Sequence, residues 1–313
     1  MLIGRDRFGS NVTSNESNAT RAAPLAGRTV RHGTGVNSNR AFPTDAFPRH
    51  LDPFVLFERF YIDPEQGFPI HPHRGFEIVS YMIEGGMDHE DSLGMTNTAR
   101  ENEAIHITTG GGIRHSEFPA DGAGCNGLQL WVNLSREEKE MDPDYSDAAA
   151  EELPTEPVDG ATVTTVVGGG SPLSTHTPLE YLDVEVTGSW RWSIPDDWTG
   201  FLYGVEGAGS VSVDGAADRD PIGEGEVLPV TDAETVDVEG AVLTPGFHDA
   251  HVHLGFHGLE LSQVQLGDTG SLDEALELAD EHGFRHAAFG SGGETQADAV
   301  AGRGRIGALA AVG

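Results

Sequence analysis

The feature that most constrains the fold is a succession of short strand-like runs broken by turn residues. FEIVSYMI (76–83), GLQLWVNL (127–134), TVTTVVG (162–168), LEYLDVEV (179–186) and GSVSVDG (209–215) are rich in Val, Ile, Tyr and Trp. Gly, Asp and Pro separate them at the spacing of barrels or sandwiches. In LEYLDVEV the alternation puts Leu182, Val184 and Val186 on one face, which belongs on a core. These runs predict an all-β chain with strand-rich blocks at about 40–134 and 160–245.

The acidic stretch 136–158 reads as a linker carrying a helical turn or two between blocks at 35–135 and 159–243. Residues 1–34, with many Asn, Ser, Thr and Gly, are expected to be flexible. The tail 244–313 changes texture. LDEALELADEHG (272–283) has helical spacing with Gly283 placed to stop it, whereas ADAVAGRGRIGALAAVG specifies no structure.

Charge narrows the partners. The chain of 313 residues carries 51 acidic and 18 basic side chains, a net charge of −33, and Lys139 is its one lysine. Such a charge repels nucleic acid, so direct DNA binding is not expected. Its self-repulsion would be relieved where the Debye length shrinks to ~3 Å in 1 M salt, which predicts a halophilic cytoplasm. No apolar run approaches the roughly 18 residues of a membrane span, and the N-terminus lacks a secretory pattern. Cys125 is the single cysteine, so a disulfide framework is excluded and a reducing compartment fits. A cytoplasmic monomer is the expectation.

Chemistry concentrates in two short motifs. His71 and His73 in FPIHPHRGF lie two residues apart, as do His115 and Glu117 in GGGIRHSEFP. On extended strands such pairs project to one face, so all four could reach one ion inside a barrel. Glycines 110–112 would let the second strand bend close to it. Three neutral imidazoles and a carboxylate suit Fe(II), Ni, Co or Mn and leave positions for substrate or O₂. Glu77 shares the parity of His71 and His73, so it competes with Glu117 as fourth ligand or stands behind the ligands. His89 and His106 read as ordinary rim residues.

LDPFVLFERF, HPHRGFEIVSYMIEGGMDHEDSLG, GGGIRHSEFP and GLQLWVNL, in this order, resemble the pirin family of bicupins over about residues 28–240, with a cupin GxxH at Gly112–His115. The resemblance implies two tandem cupin barrels and one Fe(II) held by His71, His73, His115 and Glu117, favouring Glu117 over Glu77. It also implies a second cupin without metal, and His176 is the only histidine between 118 and 247. ENEA (101–104) stands where pirins carry a Pro-Gly-Asp turn, and the usual pirin ending is not recognisable after about Val242.

Two functions follow from that resemblance, and a third is read from the four ligands alone. The first is a quercetin 2,3-dioxygenase-type enzyme that opens the ring of a flavonol, or another enolic aromatic, with O₂ and release of CO. Glu117 would take the substrate proton, and Phe76, Phe118 and Met82 are candidate pocket walls beside their alternative role as core. The second is an iron-dependent redox sensor acting as a transcription co-regulator through a basic protein partner. The third is a metal-stabilised protein without turnover. In the tail, TPGFHDAHVHLG (244–255) resembles the amidohydrolase motif PGFxDxHxH. A working hydrolase is not expected from it, since those sites need a barrel of ~250 residues.

Overall fold

The structure, a computed structural model, describes residues 23–47, 51–195, 198–230, 235–240 and 304–312, the last of these as backbone. Every strand pairing in it is antiparallel, and among the described residues there is no α-helix. No helix there is long and apolar enough to cross a membrane. The predicted helix at 272–283 lies outside the described residues.

Each half is a barrel made of one seven-stranded and one four-stranded sheet. The large sheet of the first barrel runs Asp144–Ala148, Ala104–Thr108, Phe76–Glu84, Cys125–Asn133, Phe54–Ile62, Val36–Phe42 and Arg28–Arg31. Its small sheet runs Phe68–His73, Ile113–Pro119, Gly86–Asp91 and Thr96–Arg100. In the second barrel the large sheet runs Leu25–Ala26, Glu226–Val230, Thr199–Glu206, Gly304–Val312, Leu179–Val186, Ala161–Val167 and Thr155–Val158. Its small sheet runs Ser189–Ser193, Thr235–Gly240, Ala208–Val213 and Asp220–Gly223.

The large sheets are buried on both faces, which explains why FEIVSYMI reads as nearly continuous apolar sequence. Ile78 and Met82 point into the first barrel with Ile105, Ile107 and Met87. Val79 and Tyr81 point the other way, into a seam where the barrels meet. That seam is aromatic at its centre: Phe201 of the second barrel lies 5.0, 5.2 and 4.9 Å, ring to ring, from Phe42, Phe54 and Phe57 of the first. Buried polar contacts cross it too, with the Tyr81 hydroxyl donating to Asp183 at 2.9 Å and Arg59 to the Val205 carbonyl at 2.6 Å.

Leu182, Val184 and Val186 do share one face, packed inside the second barrel against Trp192, Val211 and Val236. The linker supplies a strand to each barrel, Asp144–Ala148 and Thr155–Val158, around a single 3₁₀ turn at Ala150–Glu152. Leu25–Ala26 and Arg28–Arg31, placed by the sequence in a flexible segment, are strands because each finds a sheet edge, at Glu226–Val230 and at Val36–Phe42. Gly304–Val312 lies in the middle of the second barrel's large sheet, paired with Leu179–Val186 on one side and Thr199–Glu206 on the other.

Candidate metal centre

The small sheet of the first barrel carries the histidines. Phe68–His73 is its edge strand, the position that tolerates Pro69 and Pro72, since an edge leaves one side of the ladder unpaired. Register sets His71 opposite His115, and on the next strand His115 opposite Asp91 and Glu117 opposite His89. Side chains 71, 73, 89, 91, 115 and 117 therefore face the same interior. A bulge between His115 and Glu117 adjusts the ligand strand. Ahead of it Gly110 has φ +43°, and a Cβ there would sit 2.2 Å from the Met141 carbonyl oxygen, so the turn needs glycine.

The rings of His71, His73 and His115 form a triangle with centroids 4.7, 4.5 and 4.9 Å apart. Nε2 of His71 and Nε2 of His115 are 3.1 Å apart. His71 Nδ1 donates to the Pro69 carbonyl at 2.9 Å, which leaves its Nε2 lone pair free, the arrangement seen behind metal-bound imidazoles. Burial, then the adjacent His115 and His71, hold the pKa of His73 down to about 3. Burial, then His71 and His89, do the same for His115, against the opposing charge of Asp91. Both imidazoles are thus neutral and able to ligate.

Glu117 is not drawn to that triangle. It lies on the far side of His115, where His89, His115 and Glu117 offer ligand atoms all within 4.8 Å of one another. Burial raises its carboxyl pKa, opposed by His89, His71 and a Gln129 hydrogen bond. Three buried atoms there have no hydrogen-bond partner: His89 Nδ1, His115 Nδ1 and Glu117 Oε1. Each such atom costs about 1–3 kcal/mol unless something satisfies it. These donors, with the histidine triangle, fit a divalent cation.

Several sequence expectations change. Glu77 does not face the histidines, because Gly75, at φ +82°, breaks the strand parity assumed from His73. It lies at the seam, taking hydrogen bonds from the backbone of His176 at 3.1 Å and pairing with His106 at 3.0 Å. His89 and His106 are buried, not on the rim. His89 was missed because the general burial tendency of histidine favours the rim, although its alternation with Met87 and Asp91 signals an inward face. Phe118 points outward, 38% exposed, by its odd-even offset from Glu117, and Met82 is core. Phe76 does reach the site. It stacks on Trp131 at 4.5 Å, and both rings stand edge-on to His73 at 5.4 and 5.1 Å. Cys125 is buried, its thiol pushed up to about 12 by burial and the nearby Glu117 and Asp88.

Two antiparallel barrels joined at one seam, with a histidine cluster inside one of them, define an all-β tandem cupin. A family model described as Pirin matches residues 35–132. Pirin of Homo sapiens is 39% identical over 216 residues, covering 65% of this chain and 74% of that protein. The chain belongs to the pirin family. A pirin-like protein of Solanum lycopersicum is 40% identical over 52% of this chain and 58% of its own length.

Among solved structures, GK1651 from Geobacillus kaustophilus superposes with a TM-score of 0.62 at 26% identity, over 69% of this chain and 89% of that one. A quercetin 2,3-dioxygenase from Acinetobacter baumannii shares the fold with a TM-score of 0.62 at 24% identity, over 70% and 82%. The bacterial pirin YhhW from Escherichia coli, solved in complex with nickel(II), does so with a TM-score of 0.55 at 20% identity, over 68% and 90%. A second family model, Amidohydrolase family, matches residues 234–311 and so covers the strand Gly304–Val312 up to residue 311.

Proposed function

We propose that the protein is a metal-dependent dioxygenase acting on quercetin or a similar enolic aromatic, with Fe(II) as the preferred ion and nickel, cobalt or manganese as substitutes. The observation that carries this reading is the triangle of imidazoles set beside a stacked aromatic pair. His71, His73 and His115 would hold the ion, and Glu117, grouped with His115 rather than with the triangle, would turn toward it as the fourth donor. A bound divalent ion supplies Lewis acidity that makes a substrate hydroxyl more acidic. Phe76 and Trp131 give a flat apolar face against which an aromatic ring can lie. The raised pKa of Glu117 suits it to receive the hydroxyl proton once the two groups come within ~3 Å. His71 and His73, only partly buried on the edge strand, leave the ion open to small molecules.

An iron-dependent redox sensor that binds a protein partner is the second reading. The outer face of the small sheet supports it, where exposed Ile70 and Phe118 lie among the acidic Asp88 and Glu90.

Metal content by mass spectrometry and O₂ uptake with quercetin, on wild type, His71→Ala and Glu117→Ala, test both readings. About one ion per chain, lost in His71→Ala, with quercetin-dependent O₂ uptake abolished in both variants, is expected of the enzyme. Metal without uptake favours the sensor, and no metal after reconstitution defeats both.

A further inference from the structure

We propose that Ser146, His106 and Glu77 form a nucleophilic centre on the seam side of the first barrel, apart from the metal centre, that takes the acyl group of a small uncharged aryl ester onto Ser146 Oγ.

The large sheet builds it. Asp144–Ala148, Ala104–Thr108 and Phe76–Glu84 are successive strands at one end of that sheet, and each supplies one of the three residues. Register sets Ser146 directly opposite His106, and Glu77 opposite Thr108, two residues further on. Opposite and diagonal neighbours on one face of a sheet lie within side-chain reach. Ile105 and Ile107 point into the barrel, and Tyr145 stacks there on His89. Ser146 and His106 alternate to the other face, where Glu77 also lies, away from the histidine triangle.

The hydrogen bonds run in series. Ser146 Oγ lies 3.3 Å from His106 Nδ1, and His106 Nε2 lies 3.0 Å from Glu77 Oε1. Glu77 is fixed in turn, both its oxygens accepting the His176 N–H at 3.1 Å and Oε1 also the Thr108 hydroxyl at 3.4 Å. With those donors around it Glu77 is the acceptor for His106. Nε2 therefore carries the proton, and Nδ1 turns a lone pair to the Ser146 hydroxyl. Nucleophile, base and a third group that orients the base are the parts of an activated serine, here with the two ring nitrogens exchanged relative to the serine protease arrangement.

Burial is graded along the series. The side chains of Glu77 and His106 are 0 and 7% exposed, while Ser146 is half-buried on the outermost strand of the sheet. A seam held for stability alone would be served as well by apolar residues, since burying a carboxylate is costly. Exposed Asp144 and Asp147 flank Ser146, which disfavours an anionic ester.

In the reaction Ser146 Oγ attacks the acyl carbon as its proton passes to His106 Nδ1. The Oγ–C bond forms, the bond from acyl carbon to aryl oxygen breaks, and the phenolate leaves with that electron pair and takes the proton from His106. Water, giving a proton to the same nitrogen, then releases the carboxylic acid and restores the serine. Glu77 is a positioning residue that holds the ring and balances its transient charge. Neither the metal ion nor O₂ enters.

The test is p-nitrophenyl acetate with the full chain, followed by nitrophenolate release and by peptide mapping of the acetyl group. The chain has a single lysine, already hydrogen-bonded, so amine acetylation contributes little background. Acetyl on Ser146 is expected in wild type and none there in Ser146→Ala. His106→Gln should slow acetylation at least ~100-fold, and added imidazole should restore part of the rate to His106→Ala. Glu77→Gln should slow wild type but not His106→Ala, because its effect passes through His106. Circular dichroism and thermal melts identify any variant that fails to fold, and Ser146→Ala, a small change at a half-buried edge, then decides with the wild-type map. Wild type without acetyl on Ser146, or a folded His106→Gln or Glu77→Gln that acetylates as fast as wild type, overturns the centre.

Discussion

His73 and His115 are held neutral by burial first and then by neighbouring histidines, with pKa values down to about 3, whereas an unfolded histidine titrates near ~6.5. Between those values the unfolded chain binds more protons, so folding stability must fall as pH drops from about 6.5 toward 3. Glu58 acts with the same sign lower down. Burial pushes its pKa up, but His32, Arg40 and Ser38 outweigh that and leave it lowered. Its contribution is present above the ordinary carboxylate range and fades as pH falls through its folded value. Urea unfolding of the metal-free protein should show the midpoint sliding down below about pH 6.5, and His73→Phe should flatten that slide. A midpoint indifferent to pH there would mean the imidazoles take up protons without cost. Four of the site residues, His71, His73, His115 and Glu117, were legible from spacing, because i, i+2 pairs on strands face one way. His89 was not, since alternation with Met87 and Asp91 sets only its inward face, and its place opposite Glu117 comes from the register of the neighbouring strand.

Whole strands show the same limit. LEYLDVEV announces itself by alternation, and its faces divide as the pattern says, one to the barrel interior and one to the seam. Phe201 could be read only as apolar; its three aromatic partners come from strands more than a hundred residues earlier. Phe201→Ala should cost about 3–5 kcal/mol in denaturant unfolding, the range for emptying an aromatic core position. A loss below ~1 kcal/mol would show that the seam collapses around the gap. Gly304–Val312 was illegible for another reason. GRIGALAAV has neither alternation nor helical period, and a strand in the middle of a sheet needs neither. Ending the chain at residue 303 should leave Leu179–Val186 and Thr199–Glu206 as facing open edges. Limited proteolysis should then cut the second barrel first; an unchanged pattern would show that the two flanking strands hold without it.

At the scale of the molecule the governing quantity is a net charge of −33 against a seam made of short-range contacts. The only lysine is already committed, Lys139 Nζ donating to the Gly75 carbonyl at 2.8 Å, so it does little to offset the acidic surface. Arginine pairs such as Arg191 with Asp237 and Arg100 with Asp121 hold their guanidinium groups at the solvent surface and contribute little. Repulsion among surface carboxylates acts over the Debye length, ~10 Å at 0.1 M salt and ~3 Å at 1 M, and salt should remove it. The contacts that join the barrels, Phe201 in its aromatic cage, Tyr81 with Asp183 and Glu77 with the His176 amide, are buried and little screened. Salt should therefore weaken what opposes the fold while sparing what holds the halves together. The melting temperature should climb steadily from low to multimolar KCl, with one cooperative transition throughout. A flat melting temperature would mean that the acidic surface is spaced widely enough to be harmless. Two transitions separating at low salt would mean that repulsion, not the seam, decides whether the barrels unfold as one.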